Sequence, residues 1–468
     1  MNDIQTTFID EAGIDRLLAT ANGNDSMAVN AVIDKALEGK GLEPAEAAIL
    51  LNADDPDATE RLFDAARRVK HSIYGRRLVL FAPVYLSNHC SNNCLYCGFR
   101  RDNKSMKRRA LTMDELRHEI ELLERQGHKR ILMLAGEDLV RSPLDYLIEA
   151  IETAYSVKTA DGRGEIRRIN VEIAPLSTLE FKRLKTAGIG TYVLFQETYN
   201  RETYAHMHPS GPKKDFAKRL YAMDRALEAG LNDVGIGALL GLHDFRYEVL
   251  AMLAHARHLD STFGTGPHTI SVPRIESAQN APAANEVPHP VSDRDFKRLV
   301  AILRLAVPYT GIILSTREKS AMRNDLFALG VSQISAGSRT NPGGYGETEA
   351  NRADEQQFAL GDTRSLDEVI RSICEQGYIP SFCTGCYRLG RTGADFMDLA
   401  KPGDIKAHCD PNAVSTFMEY LLDYASPETR AVGERCIDVF VHEMSQSART
   451  RTNALVEQVR KGNRDVLC

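Results

Sequence analysis

The sequence predicts an α/β fold in which eight parallel strands close into a (β/α)8 barrel of the TIM type. Short apolar runs alternate with amphipathic stretches along the middle of the 468-residue chain, and this alternation is typical of a parallel sheet whose strands are linked by helices. The runs occupy 78–86, 130–134, 169–173, 191–195, 234–240, 269–272, 311–314 and 331–335. Eight units favour the closed barrel, and a partial (β/α)6 barrel is the alternative.

Helix start and stop signals stand between these runs. Ser or Thr followed three residues later by Glu forms a capping box, which marks the first turn of a helix. Such boxes begin at Thr112, Ser177 and Ser365. Glycines are common just beyond the last turn of a helix, and the candidates are Gly127, Gly188, Gly230 and Gly330. The amphipathic stretches are therefore predicted to be the helices of the barrel.

The two ends of the chain differ from the middle. Helical spacing at 14–21, 28–37, 44–51 and 60–71 predicts an N-terminal helical extension. Three further helix candidates, 412–424, 428–444 and 448–461, follow a second cysteine set and a Gly/Arg loop. We expect an extension at 1–75, the barrel at 76–374 and a separate, mainly helical module at 375–468.

Composition excludes several classes of protein. The formal net charge is −6 and the pI is about 6.1, which gives no electrostatic case for nucleic-acid binding. No apolar run is long enough to span a bilayer, and the first residues do not form a signal peptide. Six of the 9 cysteines fall into two triads, which fits metal binding in a reducing compartment better than disulfides. We expect a cytoplasmic protein without nucleic-acid or membrane partners.

The first triad is Cys90, Cys94 and Cys97, in C-x3-C-x2-C spacing directly after the first predicted strand. Three thiolates hold three corners of a [4Fe–4S] cluster and leave one iron open for chemistry, whereas full ligation takes four. The alternatives are a zinc knuckle or buried free thiols. No fourth Cys or His stands at zinc-finger distance downstream, so the cluster is favoured.

The second triad is Cys383, Cys386 and Cys409, in C-x2-C-x22-C spacing. Three thiols again predict an iron–sulfur cluster with one open iron, which would be auxiliary to the first. The alternative is a zinc site completed by His408 or Cys374. Because adjacent residues are poor ligands of one metal, His408 beside Cys409 does not favour zinc.

The text Asn-His-Cys-Ser-Asn-Asn-Cys-Leu-Tyr-Cys-Gly-Phe-Arg-Arg at 88–101 resembles the cluster loop of the radical S-adenosylmethionine (SAM) superfamily, and within it the tyrosine-lyase branch. The resemblance implies that the open iron binds SAM and that the reduced cluster generates a 5′-deoxyadenosyl radical. The segment 381–393 resembles the C-terminal module of the hydrogenase maturases of that branch, a module that its thiamine-pathway lyases lack.

The resemblance also implies which residues hold SAM. Ala135-Gly136-Glu137 follows the second predicted strand and stands where the family has a Gly-Gly-Glu-like segment, which is a mild departure. Glu172 ends the third strand and is a candidate for the ribose hydroxyls, although a polar residue on a barrel rim is the plain alternative. Gln196 and Glu197 follow the fourth strand, in text similar to the family's SAM and substrate pocket.

Three further residues are candidates for the reaction itself. Ser315 and Arg317 end the seventh predicted strand, and Arg binds a carboxylate in a two-pronged fork, as an amino-acid substrate would require. His268 begins the sixth strand. A lone His is often structural, but the resemblance implies a position near the auxiliary cluster, where imidazole could ligate an additional iron.

The function implied by the resemblance is cleavage of the Cα–Cβ bond of L-tyrosine to p-cresol and dehydroglycine. Dehydroglycine would then yield CO and cyanide on iron at the auxiliary cluster, for assembly of the [FeFe]-hydrogenase H-cluster. The implied cofactors are two [4Fe–4S] clusters and SAM, and the implied partners are hydrogenase maturation proteins and an electron donor. The alternatives are a 2-iminoacetate synthase of thiamine biosynthesis and a non-catalytic iron–sulfur scaffold or carrier.

Overall fold

A computed structural model describes residues 7–346 and 355–468, and its centre is a closed barrel of eight parallel strands. Each strand pairs with its neighbour in sequence, and β1 pairs with both β2 and β8, which closes the ring. The strands are β1 Arg77–Ser87, β2 Arg130–Ala135, β3 Arg168–Glu172, β4 Tyr192–Val193, β5 Val234–Gly237, β6 Thr269–Ser271, β7 Gly311–Leu314, β8 Val331–Ser335 and β9 Ile379–Ser381. The predicted (β/α)8 barrel is confirmed.

Helices surround the barrel, and further helices make up the chain before its first strand and after β9. They are α1 Glu11–Thr20, α2 Ser26–Ala36, α3 Pro44–Asn52, α4 Pro56–Tyr74, α5 Met113–Arg125, α6 Leu144–Ser156, α7 Thr178–Thr186, α8 Arg201–Met207, α9 Phe216–Leu220, α10 Ala222–Glu228, α11 Phe245–Phe263, α12 Pro282–Asn285, α13 Asp293–Ala306, α14 Ser320–Leu329, α15 Leu366–Glu375, α16 Gly385–Arg388, α17 Gly393–Ala400, α18 Lys406–Asp423, α19 Pro427–His442 and α20 Gln446–Arg460. None of these helices is long and apolar enough to cross a membrane.

The predicted helix signals act as expected at most positions. The three capping boxes open α5, α7 and α15 with both reciprocal hydrogen bonds formed. Gly127 stands beyond α5 with φ at 96°, a left-handed conformation that favours glycine. Gly330 differs, because its φ of 167° is extended backbone that any residue adopts.

The N-terminal helices pack on the outside of the barrel. α4 lies against α13 and α14, and α1 and α3 lie against α11. The buried face of α4 carries Leu62, Ala66 and Val69, which belong to the same apolar core as the barrel strands. Burial of this apolar face fixes the extension on the barrel.

The ninth strand was missed by the sequence analysis. β9 is three residues long and pairs in parallel with the first residues of β1, with Leu78 opposite Pro380. Proline is tolerated there because β9 is an edge strand. Although β9 lies within the predicted 375–468 module, it extends the barrel sheet. The domain boundaries therefore remain predictions.

Candidate active site

The first cysteine triad lies at the carboxyl end of the barrel strands. The loop that follows β1 brings the three thiols to the wall of one cavity of about 80 Å³. Other residues of this wall are Tyr85, Asn92, Tyr96, Ala135, Gly136, Glu137, Glu172, Glu197, Lys213, Arg219 and Gln357. This is the edge at which βα loops build the sites of such barrels.

Gly136 allows the loop after β2 to lie directly against the cysteine loop. Its backbone N–H donates to the Ser87 carbonyl at 2.8 Å, and the Ser91 N–H donates to the Glu137 carbonyl at 3.0 Å. A Cβ atom at position 136 would lie only 2.2 Å from the His89 carbonyl oxygen. The close backbone approach therefore requires glycine at this position.

Side chains fix the cysteine loop from two more directions. The Asn92 amide donates to Glu137 Oε2 at 2.8 Å and accepts the Lys213 backbone N–H at 2.8 Å. The Tyr96 hydroxyl lies 2.8 Å from His208 Nε2. Because His208 Nδ1 donates to a carbonyl oxygen, Nε2 accepts and Tyr96 donates. These hydrogen bonds therefore fix the position of the cysteine loop.

A buried ion-pair network borders the same cavity. Glu137 binds Arg219 at 2.7 Å, Glu197 binds Lys213 at 2.6 Å, and Arg219 also lies 3.6 Å from Glu197. Burial alone would raise the pKa of Glu137, but Arg219 and Lys213 outweigh it and hold that pKa below its usual value. Lys213 and Arg219 are not predictable from the sequence, since no spacing signal distinguishes them from surface cations.

Glu197 also has an unusual backbone. Its φ is 73°, which is costly for a residue with a side chain. The surroundings hold it there, because its carbonyl accepts the Leu239 N–H at 2.8 Å and its carboxylate is paired with Lys213. Strain of this kind often occurs at functional sites, where it aims a side chain.

Glu172 stands at the end of β3 and faces this cavity and the one in the barrel centre. Burial and the nearby charge of Glu197 raise its pKa to about 7. No hydrogen bond to its carboxyl is formed within residues 7–346 and 355–468. The carboxyl is therefore available to a ligand.

Gln196 does not reach either cavity, contrary to the prediction that it binds the cofactor. Its side chain points to the Phe216 carbonyl, at 3.5 Å, whereas Phe195 and Glu197 line the central cavity. Successive side chains of extended backbone alternate in direction, so Gln196 faces away from its neighbours. The other predicted SAM residues do line the cavity.

The central cavity of about 120 Å³ lies inside the barrel, near the carboxyl ends of the strands and next to the first triad. Ser315 and Arg317 line it together, and Ser315 Oγ accepts the Arg317 N–H at 3.3 Å. The Arg317 guanidinium lies 3.3 Å from the centroid of the Phe358 ring, and within the described part of the chain it has no carboxylate partner. A cation without a counter-ion in a mostly apolar cavity suits an anionic ligand.

The second triad lies at the opposite, amino end of the strands. Cys383, Cys386 and Cys409 line a cavity of about 80 Å³. Arg77 and Arg130, which begin β1 and β2, line it as well, and Arg130 donates to the Cys383 carbonyl at 2.8 Å. The rule that sites lie at the carboxyl ends of strands therefore describes only the first triad.

His268 lies in this second cavity, beside the cysteines. Its ring packs against Phe396, with centroids 4.6 Å apart, and its Nδ1 is 3.6 Å from an Asp233 carboxylate oxygen. Nδ1 is buried and has no hydrogen-bond partner in the described residues. Burial lowers the pKa of His268, so the imidazole is neutral and has a lone pair for a metal.

The zinc alternatives fit the structure poorly. Cys374 lies against the thiol of Cys436, where α15 meets α19, and neither residue lines the second cavity. Among residues 7–346 and 355–468, no three His, Cys, Asp or Glu side chains converge on the position of a single metal ion. The thiols of each triad instead surround a cavity, as a larger cluster requires.

Burial raises the pKa of Cys90 and Cys97 to about 11 and that of Cys94 to about 12. Unliganded thiols in this environment stay protonated, and a bound metal group would convert them to thiolates. The closed barrel carries three such thiols at its carboxyl end, in one cavity with the loop after β2 and several carboxylates. This is the architecture of radical SAM enzymes.

Comparison with known proteins agrees with this architecture. Residues 84–256 match the model of the Radical SAM superfamily, and residues 271–379 match that of the Biotin and Thiamin Synthesis associated domain. The 2-iminoacetate synthase of Salmonella typhimurium is 30% identical over 352 residues, which cover 74% of this chain and 89% of that protein.

Two solved structures match over nearly the whole chain. A crystal structure of HydG, a maturase of the [FeFe]-hydrogenase, has a TM-score of 0.94 and 49% identity, covering 99% of this chain and all of that one. The HydG maturase from Carboxydothermus hydrogenoformans has a TM-score of 0.82 and 42% identity over 95% and 98% of the two chains. The chain belongs to the radical SAM superfamily and, within it, to the family of the HydG maturases.

The predictions of an enzyme, of a [4Fe–4S] cluster and of SAM as cofactor are thereby confirmed. The first cavity fits that pair, because its wall combines the three thiols with the carboxylates of Glu137, Glu172 and Glu197. The roles of the individual site residues remain predictions.

Proposed function

We propose that the chain is a radical SAM L-tyrosine lyase that matures [FeFe]-hydrogenase, by producing CO and cyanide from the amino-acid fragment. The observation that carries the proposal is the placement of two cysteine triads at opposite ends of one barrel, with the central cavity between them. Two separate metal sites suit two successive reactions. Enclosure within the barrel keeps reactive intermediates from solvent.

Cys90, Cys94 and Cys97 would hold the first cluster. When bound, that cluster supplies the electron that splits SAM into methionine and a 5′-deoxyadenosyl radical. Ala135 and Gly136 line the same cavity and would pack against the methionine end of SAM, and Glu172 would bind the ribose hydroxyls. Gln196 is omitted from this assignment because its side chain faces away.

The substrate would lie in the central cavity. Arg317 would bind the tyrosine carboxylate, with Ser315 beside it, since the guanidinium has a mostly apolar setting and no counter-ion in the described chain. The wall of the same cavity includes Glu172, at the edge of the SAM site. Hydrogen abstraction from tyrosine would therefore occur where the two cavities meet. Cα–Cβ cleavage would then give dehydroglycine and a 4-hydroxybenzyl radical, which takes up one electron from the added reductant and one proton to become p-cresol.

Cys383, Cys386 and Cys409 would hold an auxiliary [4Fe–4S] cluster, and the fit rests on three thiols and a neutral imidazole around one cavity. Dehydroglycine would cross the barrel interior to this end and yield CO and cyanide. His268 would bind the iron that carries these products as cargo. That iron unit would pass to other hydrogenase maturation proteins.

A 2-iminoacetate synthase is the second candidate, because the Salmonella typhimurium protein of that name is 30% identical over 74% of the chain. In that case dehydroglycine would leave intact. The second triad argues against this alternative, since a lyase that releases dehydroglycine has no use for three more buried cysteines around a cavity. The non-catalytic scaffold is not supported, because the chain belongs to a family of enzymes.

The test is anaerobic turnover of the reconstituted protein with SAM, a chemical reductant and L-tyrosine. p-Cresol would be measured by chromatography, and CO would be trapped with a haem protein. Both products together support the proposal. p-Cresol without CO, from protein with both sites shown to be loaded, would favour the 2-iminoacetate synthase. An absence of SAM cleavage would contradict the proposal.

A further inference from the structure

Residues 355–359 lie directly against the first cysteine loop. The Gly98 N–H donates to the Gln357 carbonyl at 3.0 Å. A Cβ atom at position 98 would lie 2.7 Å from the Gln356 carbonyl oxygen and 2.8 Å from that of Gln357, so this contact requires glycine. The Gln357 N–H in turn donates to the Thr340 carbonyl at 3.0 Å. The backbone of Gln357 is therefore fixed by hydrogen bonds that do not involve its side chain.

The side chain of Gln357 joins the first triad to a buried tyrosine. Its Nε2 lies 3.7 Å from Cys97 Sγ, and its Oε1 accepts the Tyr85 hydroxyl at 2.7 Å. A sulfur that binds a metal as thiolate carries no proton and can only accept, so the amide NH2 group must face Cys97 and Oε1 must face Tyr85. Burial raises the pKa of Tyr85 above its usual value, so the hydroxyl keeps the proton that it donates.

The surroundings of this hydrogen-bonded chain are mostly apolar. Tyr85, Phe99, Met106 and Leu134 form a buried apolar cluster that also contacts Cys97. The rings of Tyr85 and Phe99 meet edge to face, with centroids 5.7 Å apart. An N–H dipole acts more strongly on a neighbouring charge in such a setting than in water, because little solvent screens it.

We propose that Gln357 is a positioning residue that raises the reduction potential of the cluster at the first triad, by donating a hydrogen bond to the sulfur of Cys97. The inference rests on the proposed function only in requiring that Cys90, Cys94 and Cys97 hold that cluster. Reduction adds one electron, and part of the added negative charge resides on the sulfur ligands. An N–H group aimed at such a sulfur therefore stabilises the reduced state more than the oxidised state. Tyr85 acts through Gln357, because it holds the amide in the donating orientation.

A redox titration of the reconstituted protein, followed by EPR spectroscopy, measures this potential without turnover. The signal that changes when SAM is added identifies the first cluster. Gln357→Leu removes the donor and leaves the backbone contacts in place. We expect the equilibrium constant for one-electron reduction to fall by up to about tenfold, which corresponds to a potential about 59 mV more negative. Tyr85→Phe should shift the potential in the same direction by less, because the donor remains but loses its orienting partner.

Gln196→Leu is the matched control, because it replaces a buried glutamine whose side chain faces away from the first and central cavities. Its first cluster should titrate at the potential of the parent. Parent potentials in both Gln357→Leu and Tyr85→Phe would overturn the inference. If Gln357→Leu fails to load the cluster, Tyr85→Phe decides alone, and an unchanged potential in that variant overturns the inference.

The parent protein separates this inference from the proposed function. A parent without any cluster signal that responds to SAM would refute the assignment of the first site, and the role of Gln357 would fall with it. A parent with such a signal, together with variants of unchanged potential, would refute only the role of Gln357.

Discussion

The two ends of the barrel hold cysteine triads of similar size, but they are built in different ways. At the carboxyl end the cysteine loop is a βα loop of the barrel itself, and its neighbours come from the loops after β2, β3 and β4. At the amino end the cysteines come from chain that follows the eighth strand. The first site is therefore part of the barrel design, whereas the second is added to it by the C-terminal segment.

The two ends also differ in electrostatics. Glu137 and Glu197 stand at the carboxyl end, where each is paired with a buried cation. Arginines dominate the amino end, where Arg77 and Arg130 counter the burial that raises the pKa of Cys383 to about 11. Carboxylates and backbone therefore organise the first site for an organic cofactor, while cations support the thiolates at the second.

The largest expected effect comes from removing one ligand at the carboxyl end. Cys90→Ala should reduce SAM cleavage to background, because no other thiol in the described chain lines that cavity apart from Cys94 and Cys97. Iron content should fall only by the share of one cluster, since the second triad is intact. Iron analysis and 5′-deoxyadenosine assays measure the two effects. Cys374→Ala, which removes a buried thiol outside both cavities, should keep both signals.

Removing ligands at the amino end should split the reaction. Cys383→Ala combined with Cys386→Ala should spare p-cresol formation and abolish the CO that a haem protein captures, because tyrosine cleavage occurs at the other end. Both products would be measured in one anaerobic turnover. Equal loss of p-cresol and CO would break the proposed division of labour between the triads.

A smaller effect is expected in the cavity between the two ends. Arg317→Ala should lower kcat/KM for tyrosine by about a hundredfold, because truncating one partner of a buried charge pair costs several kcal/mol. Arg317→Lys should retain part of that activity, since it keeps the charge but loses the fork. Cleavage of SAM without tyrosine should be unchanged in both. If Arg317→Ala alters neither KM nor kcat for tyrosine, the carboxylate is bound elsewhere.

The smallest effect on activity is expected at a carboxyl that only supports the carboxyl end of the barrel and acts on stability. Glu248 on α11 accepts the Tyr199 N–H at 3.0 Å and the Thr198 hydroxyl, next to the strained Glu197. Burial raises its pKa from 4.5 to about 8. Between those values the folded state binds more protons than the unfolded state, so stability falls as pH rises through this window, by roughly 1.4 kcal/mol for each unit of pKa shift.

Glu248→Gln should remove this share of the pH dependence, because the amide does not titrate in that range. Urea denaturation of the apoprotein from about pH 5 to about pH 9 measures the effect, with the parent as reference. A parent and variant with parallel stability curves would show that Glu248 is ionised in the fold. The carboxyl end would then contain one more buried negative charge, in addition to Glu137 and Glu197.

The sequence was informative where local patterns determine structure. Alternating apolar runs and capping boxes identified the eight strands and their helices, because these signals act within a few residues. Cysteine spacing identified both triads for the same reason. The pattern could not reveal Lys213 and Arg219, since their burial depends on packing between loops far apart in the chain. Gln196 was wrongly placed because side-chain direction depends on exact register.

The ninth strand was missed because three residues that include a proline carry no strand signal. Its pairing with the start of β1 has a consequence for shortened forms of the protein. β9 pairs with Arg77–Val79 of β1. β2 does not reach this segment, because the pairing of β1 with β2 starts at Ala82. A chain cut before β9 would expose the hydrogen-bonding groups of this segment as a bare sheet edge, and such edges recruit other strands. Truncation is therefore expected to produce aggregates instead of a simpler enzyme with one site.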